Sequence, residues 1–242
     1  MGSRYEENDD QTTRAATTTI DISQISGFYI NLDFRNDRKN HMERQLDLIG
    51  IRQSVKRFNA IKNVNGRVGC SLSHLKCIQM AKENNLEYVL ILEDDVLFLL
   101  PDNFVENVNK FLSNKKINWD VLLLAGNNLP PFTINDDLSI RVTHCQTTTG
   151  YIVKSHYYDT LITNIKDGIV KLMKNPEHHY YFAIDKYWLQ LQKQHRWMLL
   201  TPIIVVQRPD YSDIEKKYTD YQRVMMSIDK SDYSRGAPDA TD

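Results

Sequence analysis

Residues 88–99 read YVLILEDDVLFL: an apolar run from Tyr88 to Leu92, three consecutive acids at Glu93, Asp94 and Asp95, and a second apolar run from Val96. An unbroken stretch of Val, Leu and Ile reads as a strand covered on both faces, at the centre of an α/β sheet. Buried carboxylates are costly unless paired, so the acids mark the place where the strand leaves the core. Three carboxylates on one turn repel each other unless something positive lies between them. Hard oxygen donors of this kind suit a divalent cation such as manganese or magnesium, whose shell is commonly completed by phosphate oxygens. On an extended segment Glu93 and Asp95 point to one side and Asp94 to the other, which makes Glu93 and Asp95 the expected ligand pair. A solvated acidic turn is the plain alternative.

Working outward, strands alternate with helices. GFYINL (27–32) reads as a first strand, and Met42, Leu46 and Ile49 keep a helical spacing up to Gly50. RFNAIK (57–62) reads as a second short strand. Leu72, Leu75, Ile78 and Ala81 fall on one helical face, with Ser71 or Ser73 as the expected cap. FVENVNKFL (104–112) is a short amphipathic helix and WDVLLLAG (119–126) another buried strand. LSIRVTHCQTTTGYIVK (138–154) reads as two strands or a broken hairpin, SHYYDTLITNI (155–165) and YYFAIDKYWLQLQKQ (180–194) as helices, and WMLLTPIIVVQ (197–207) as a late strand. This order predicts an α/β fold, a three-layer sandwich with a central, mostly parallel sheet. In open sheets of that class ligands bind at the carboxyl edge, where YVLIL runs into its acids.

Residues 1–24 are polar and Thr-rich and are expected to be a disordered tail, as are residues 231–242. That leaves 25–230 as one domain. The chain has 242 residues and is 41% hydrophobic, enough to bury a substantial core. Thirty basic residues against 31 acidic ones leave a net charge of -1, which gives no electrostatic footprint for nucleic acid. Cys70, Cys77 and Cys145 match neither a disulfide framework nor a zinc spacing. No run is long enough to span a bilayer, and the first residues lack the apolar core of a signal peptide. The chain as given therefore reads as cytoplasmic or peripheral to a membrane. A receiver-type phosphoacceptor domain is set aside, because there the acid pair lies near the chain start and a later strand ends in the phosphorylated Asp, whereas WDVLLLAG begins with Asp120.

Four places, in order, carry a resemblance: FYINLDFRNDRKNHM (28–42), GRVGCSLSH (66–74), LILEDDV (90–96), and the closing pair FAIDKYW (182–188) and TPIIVVQRPDYSDI (201–214). Through them the chain resembles glycosyltransferase family 25, the lipooligosaccharide and collagen galactosyltransferases, from about Gly27 to Ile214. The resemblance implies a GT-A fold and a UDP-sugar donor. It further implies a manganese- or magnesium-dependent, inverting transfer of a hexose, galactose or glucose, to a hydroxyl of a glycan or protein acceptor. A catalytically silent relative acting as a scaffold is the alternative.

In that light each residue has an expected place. Asn31 and Asp33 end the first strand, where a nucleotide would lie, and the guanidinium forks of Arg35 and Arg38 suit phosphate or uracil oxygens. Gly66 and Gly69 allow close backbone approach. Ser73 and His74 are expected near a helix N-terminus, whose amides favour phosphate. Asp94 and Gln207 join the donor set, with Asp213 closing over it. Asp185 is the expected general base, with Glu177, His178 and His179 as rivals, and Thr147 to Tyr151 line the acceptor side. Ile214, Tyr218, Tyr221, Met225 and Ile228 repeat with heptad-like spacing. They predict a C-terminal helix that packs on its own domain or pairs two chains in a homodimer.

Overall fold

A computed structural model describes residues 19–231. The chain enters through a turn at Ile22–Gln24 and continues as β1 (Gly27–Asn31), α1 (Asn36–Leu48), β2 (Val55–Asn59), α2 (Gly66–Glu83), β3 (Tyr88–Glu93), β4 (Val96–Phe98), α3 (Pro101–Ser113) and β5 (Val121–Leu123). An antiparallel excursion follows, with β6 (Asn127–Asn128), β7 (Phe132–Asp136), β8 (Ser139–Val142), β9 (Cys145–Gln146) and β10 (Gly150–Lys154). Next come α4 (Tyr158–Lys174) and the short helices α5 (His179–Phe182), α6 (Ile184–Tyr187) and α7 (Leu189–Gln194). The chain closes with β11 (Trp197–Leu200), β12 (Val205–Gln207), β13 (Asp210–Ser212), β14 (Lys217–Thr219) and α8 (Gln222–Met226).

The expected α/β class is what the structure has. One eight-stranded sheet runs in the order β2-β1-β3-β10-β5-β11-β8-β7. β1 is parallel to β2 and β3, β11 is parallel to β5, and β10 lies antiparallel between β3 and β5. β2, β1, β3, β5 and β11 therefore all end on one edge. Because β10 runs the other way, its start meets that edge too: Gly150 pairs with Leu92, and the Glu93 N–H donates to Thr149 O at 2.9 Å. Val89 to Leu92 are fully buried, as their unbroken apolar pattern requires. α2 packs on α4 and covers β1 and β3, while α1 packs on β1 and β4. Gly50, at φ +71°, stops α1 in the left-handed conformation glycine tolerates best.

Five expectations change. Residues 19–24 of the expected tail dock on α3: the Ile22 N–H donates to Asn109 Oδ1 at 2.8 Å, the Ile20 N–H to Ser113 Oγ at 2.9 Å, and Ile22 is fully buried. The rest of that tail, 1–18, and residues 232–242 lie outside the described residues. Helix α2 begins at Gly66 with Asn65 as its cap, whose side chain accepts from the Arg67 N–H. Ser71 and Ser73 are inside the helix, their hydroxyls donating to the carbonyls of Arg67 and Gly69. The helix expected over 180–194 breaks at Ala183, whose ψ of 147° is extended. The late strand divides at Pro202, which has no N–H to donate, so that β11 joins the central sheet and β12 pairs with β4. The helical seam over 214–228 is absent. Tyr218 pairs with Tyr211 across the β13–β14 hairpin, so only the five residues of α8 are helical there, and Tyr221, Met225 and Ile228 pack into the same chain. Among the described residues no helix is long and apolar enough to cross a membrane.

Candidate active site

The acid turn sits at the carboxyl edge of β3. Glu93 Oε1 accepts from Thr148 Oγ1 at 2.7 Å and faces His74 Nε2 at 3.4 Å and Cys70 Sγ at 3.8 Å. Asp94 accepts from Asn31 Nδ2 at 2.7 Å and Arg38 Nη1 at 2.8 Å. Asp95 Oδ2 accepts from the same Arg38 nitrogen at 3.1 Å and from Gln207 Nε2 at 3.4 Å. The alternation of an extended segment is lost here because Asp94 and Asp95 form a turn. Arg38 draws both of them to one side while Glu93 faces α2.

The charges do not balance within this knot. Asp95 is 8% exposed and its Oδ1 is buried without any hydrogen-bond partner. Burial, reinforced by Glu93, pushes its carboxyl up to about 7. Burial likewise raises Asp94, against the pull of Arg38 and Asn31. Burial works the same way on Glu93, but hydrogen bonding to His74 and Thr148 and the charge of Arg38 outweigh it and hold that acid below its ordinary value. One guanidinium thus serves two buried acids and also reaches Asp210 Oδ2 at 3.1 Å and Tyr211 O at 3.0 Å. An unpartnered buried oxygen, hard donors and an unmet negative charge fit a divalent cation.

Two adjoining cavities share this wall. One, of about 330 Å³, is lined by Phe34, Arg38, Lys62, Gly69, Ser73 and His74 among others. The second, of about 430 Å³, is lined by Thr147, Thr148, His179, Tyr180, Asp185 and Lys186 among others. Cys70, Glu93, Asp95 and Gln207 line both. Asp185 lies in the first turn of α6, where its carboxylate accepts from the Thr147 N–H at 3.2 Å, with Lys186 Nζ at 3.8 Å. Burial raises its pKa. Thr147 itself has φ +79°, a strained setting for a threonine that aims its N–H at this acid.

The candidate residues divide accordingly. Glu93, Asp94, Asp95, Gly69, Ser73, His74, Gln207 and Asp213 reach the smaller cavity, and Asp185 and His179 the larger. Asn31 is buried beneath the turn and orients Asp94. Arg57 holds Asn31 Oδ1 at 2.8 Å and Asp33 at 3.2 Å, and the Asp33 side chain stays largely exposed. Arg35 binds Asp37, Asp210 and Asp213, so with Arg38 it straps α1 to the β13 segment. Ser73 Oγ is committed internally, accepting from the Ile61 N–H at 2.8 Å. Gly69 is needed for that approach, since a Cβ there would meet Ile61 O at 2.5 Å. Glu177 and His178 are exposed and line neither cavity. Sequence reasoning missed Cys70, Arg67 and Lys186 as lining residues. Cys70 had one signal, its spacing of four from His74 on a helix.

Fold and site define a mixed α/β protein with an acidic ligand edge. Residues 62–175, from just before α2 to just past α4, match the model of glycosyltransferase family 25 (LPS biosynthesis protein). A Haemophilus influenzae protein named "Putative glycosyltransferase" is 33% identical over 81 residues, which are 31% of this chain and 27% of that protein. The match therefore spans about a quarter of the relative's length. Within residues 62–175 the chain is therefore similar to glycosyltransferase family 25. Among solved structures, mannose-1-phosphate geranyltransferase from Thermus thermophilus is similar at 9% identity and a TM-score of 0.43, over 73% of each chain. A Drosophila β-1,4-galactosyltransferase 7 mutant, in complex with manganese, UDP-Gal and xylobiose, is similar at 11% identity and a TM-score of 0.39, over 89% of this chain and 81% of that one.

Proposed function

We propose that this protein is a glycosyltransferase that moves a hexose, galactose or glucose, from a UDP-sugar to a hydroxyl of a glycan or protein acceptor, with inversion. The observation that carries the reading is the shared acidic wall: two cavities meet at Glu93 and Asp95, and Asp95 keeps one buried oxygen without a partner. Two substrates held on either side of one charged edge are in the arrangement a group transfer needs. Orientation of that kind is worth roughly 7–11 kcal/mol in well-aligned systems.

The smaller cavity, with Lys62, Arg38 and the close backbone around Gly69, takes the donor, and the larger takes the acceptor. Asp95 and Glu93 would hold a divalent ion, manganese or magnesium, which when bound neutralises charge on a departing diphosphate. Asp94 is kept in place by Asn31 and Arg38, which fixes the turn. Asp185 accepts the proton of the attacking hydroxyl. Its burial raises its proton affinity above that of an exposed aspartate, and the Thr147 N–H orients it.

The test is a thermal-shift and transfer screen of UDP-glucose, UDP-galactose and UDP-N-acetylhexosamines, with manganese and after chelation. The expected result is a manganese-dependent stabilisation by one donor, turnover of that donor, and an Asp185→Asn variant that binds it without turnover. A protein whose melting point no UDP-sugar moves in the presence of manganese would end this reading.

A further inference from the structure

The group formed by Cys70, His74 and Glu93 shares Glu93 with the hard-ion edge just described but adds a soft sulfur donor and an imidazole. The Cys70 sulfur, one His74 ring nitrogen and a Glu93 oxygen all lie within 4.8 Å of one another. We propose that Cys70, His74 and Glu93 form a binding site for a thiophilic divalent ion of the zinc class, with its remaining coordination position open to the two cavities.

Three observations support it. The first is spacing. Metal bonds of about 2.3 Å to sulfur and about 2.0–2.1 Å to nitrogen or oxygen, at tetrahedral angles, separate S and O by about 3.5 Å and N and O by about 3.3 Å. The structure has 3.8 Å from Cys70 Sγ to Glu93 Oε1 and 3.4 Å from His74 Nε2 to the same oxygen, with the Cys70 sulfur and the His74 nitrogen within 4.8 Å of each other, so Glu93 is at ligand spacing from both and the Cys70 side chain closes toward His74 when an ion is bound. Both separations are longer than a good hydrogen bond between these atoms' usual partners, yet both are close to the separation of two ligands on one ion. Helix α2 supplies this geometry, because residues four apart lie on one face.

The second observation is orientation. His74 is fully buried, and its Nδ1 is 2.8 Å from Tyr151 Oη. That bond fixes the ring and leaves Nε2 facing Glu93, as metal-binding histidines are held by a partner on their other nitrogen. Thr148 Oγ1 does the same for Glu93, donating to it at 2.7 Å. The third observation is access. Cys70 and Glu93 line both cavities, so an ion held here by three protein ligands keeps a position that a water or substrate oxygen can reach. Binding displaces the Cys70 thiol proton to solvent, leaving the thiolate as ligand.

This site does not rest on the transferase reading. It uses Glu93 but neither Asp94 nor Asp95, and its test does not measure transfer. The intact chain, stripped with chelator, is titrated with cobalt(II) as the probe. The expected result is a thiolate-to-cobalt charge-transfer band that saturates at one equivalent and is bleached by zinc. Cys70→Ser removes the band and the zinc-induced rise in melting point, His74→Gln weakens cobalt binding at least about 10-fold, and Asp95→Asn keeps the band. Absence of the band at one equivalent would overturn the site. So would a band that survives Cys70→Ser, which would place the thiolate at Cys77 or Cys145. Unchanged apo melting of Cys70→Ser confirms that loss of the band is loss of a ligand and not of the fold, and His74→Gln supplies the second variant if it is not.

Discussion

Asp120 and Asp95 are both buried acids at the ends of central strands, on opposite edges of the same sheet. Asp120, just before β5, accepts from the Arg196 backbone N–H at 2.8 Å, from its guanidinium at 2.8 and 3.3 Å, and from His156 Nε2 at 2.9 Å. Asp95, just after β3, shares one arginine nitrogen with Asp94 and leaves an oxygen unpartnered. Burial works against ionisation at both. At Asp120 the hydrogen bonds from Arg196 and His156 outweigh it and hold the carboxyl at about 2, whereas at Asp95 burial together with Glu93 pushes it up to about 7. One acid is satisfied by the fold; the other keeps a buried oxygen without a partner.

That contrast can be broken by mutation. Asp95→Asn is expected to lower kcat at least about 100-fold while leaving the melting point of the metal-free protein unchanged or higher, because a like-charge repulsion is relieved. A fall of the melting point like that of a core mutant would make Asp95 a structural acid. Asp120→Ala is the converse: a loss of about 2–3 kcal/mol from a buried, multiply bonded charge, a drop of roughly 5–10 °C in Tm for a chain of this size, and unchanged turnover per folded molecule. Calorimetry and single-donor kinetics on the two variants give the full two-by-two comparison.

The pH responses should run in opposite directions. The folded-state pKa of Asp120 lies below that of an unfolded aspartate, about 3.9, so its contribution is complete above about pH 4 and is lost as pH falls through about 2. The folded-state pKa of Asp95 lies above the unfolded value, so its contribution favours the fold below about pH 4 and is lost as pH rises through about 7. In chelator, wild type should therefore gain stability relative to Asp95→Asn between pH 7 and pH 5; parallel melting curves for the two proteins would refute this. The smallest effect belongs to Arg196→Ala, about 1 kcal/mol, because Arg196 is partly exposed and Asp120 keeps the backbone N–H and His156. A loss as large as that of Asp120→Ala would show that the guanidinium alone carries the acid.

Much of the fold was readable because its central strands are continuous apolar runs. YVLIL fits a covered strand, and acids directly after such a strand are expected at its edge. What was unreadable depends on contacts between distant positions. Arg38 lies 56 positions from Asp94, and nothing in FRNDRKN says that one guanidinium will take two acids of the turn. The heptad spacing over 214–228 was real but misleading, because pairing of Tyr218 with Tyr211 overrides a helical period. At the candidate site, Cys70 and His74 show their common face in the sequence, yet the third member, Glu93, joins them only through the packing of α2 on β3. Ser73 illustrates the reverse: its place in the motif suggested a ligand donor, while its hydroxyl is consumed in tying Ile61 to α2.

The strap from α1 to β13 bears on how this chain can be dissected. Arg38 and Asp210 are 172 positions apart, and Gln207 reaches Asp95 from the same late segment. The stretch that matches the family model, residues 62–175, contains the three acids but neither Asn31, Arg38 nor Gln207. Excised as a module, it would carry the anionic knot with its counter-charges left behind on both flanks. The smallest piece able to keep this edge intact has to run from the first strand through the late hairpin, so grafting the matched segment alone into another scaffold would transplant the repulsion without its restraint.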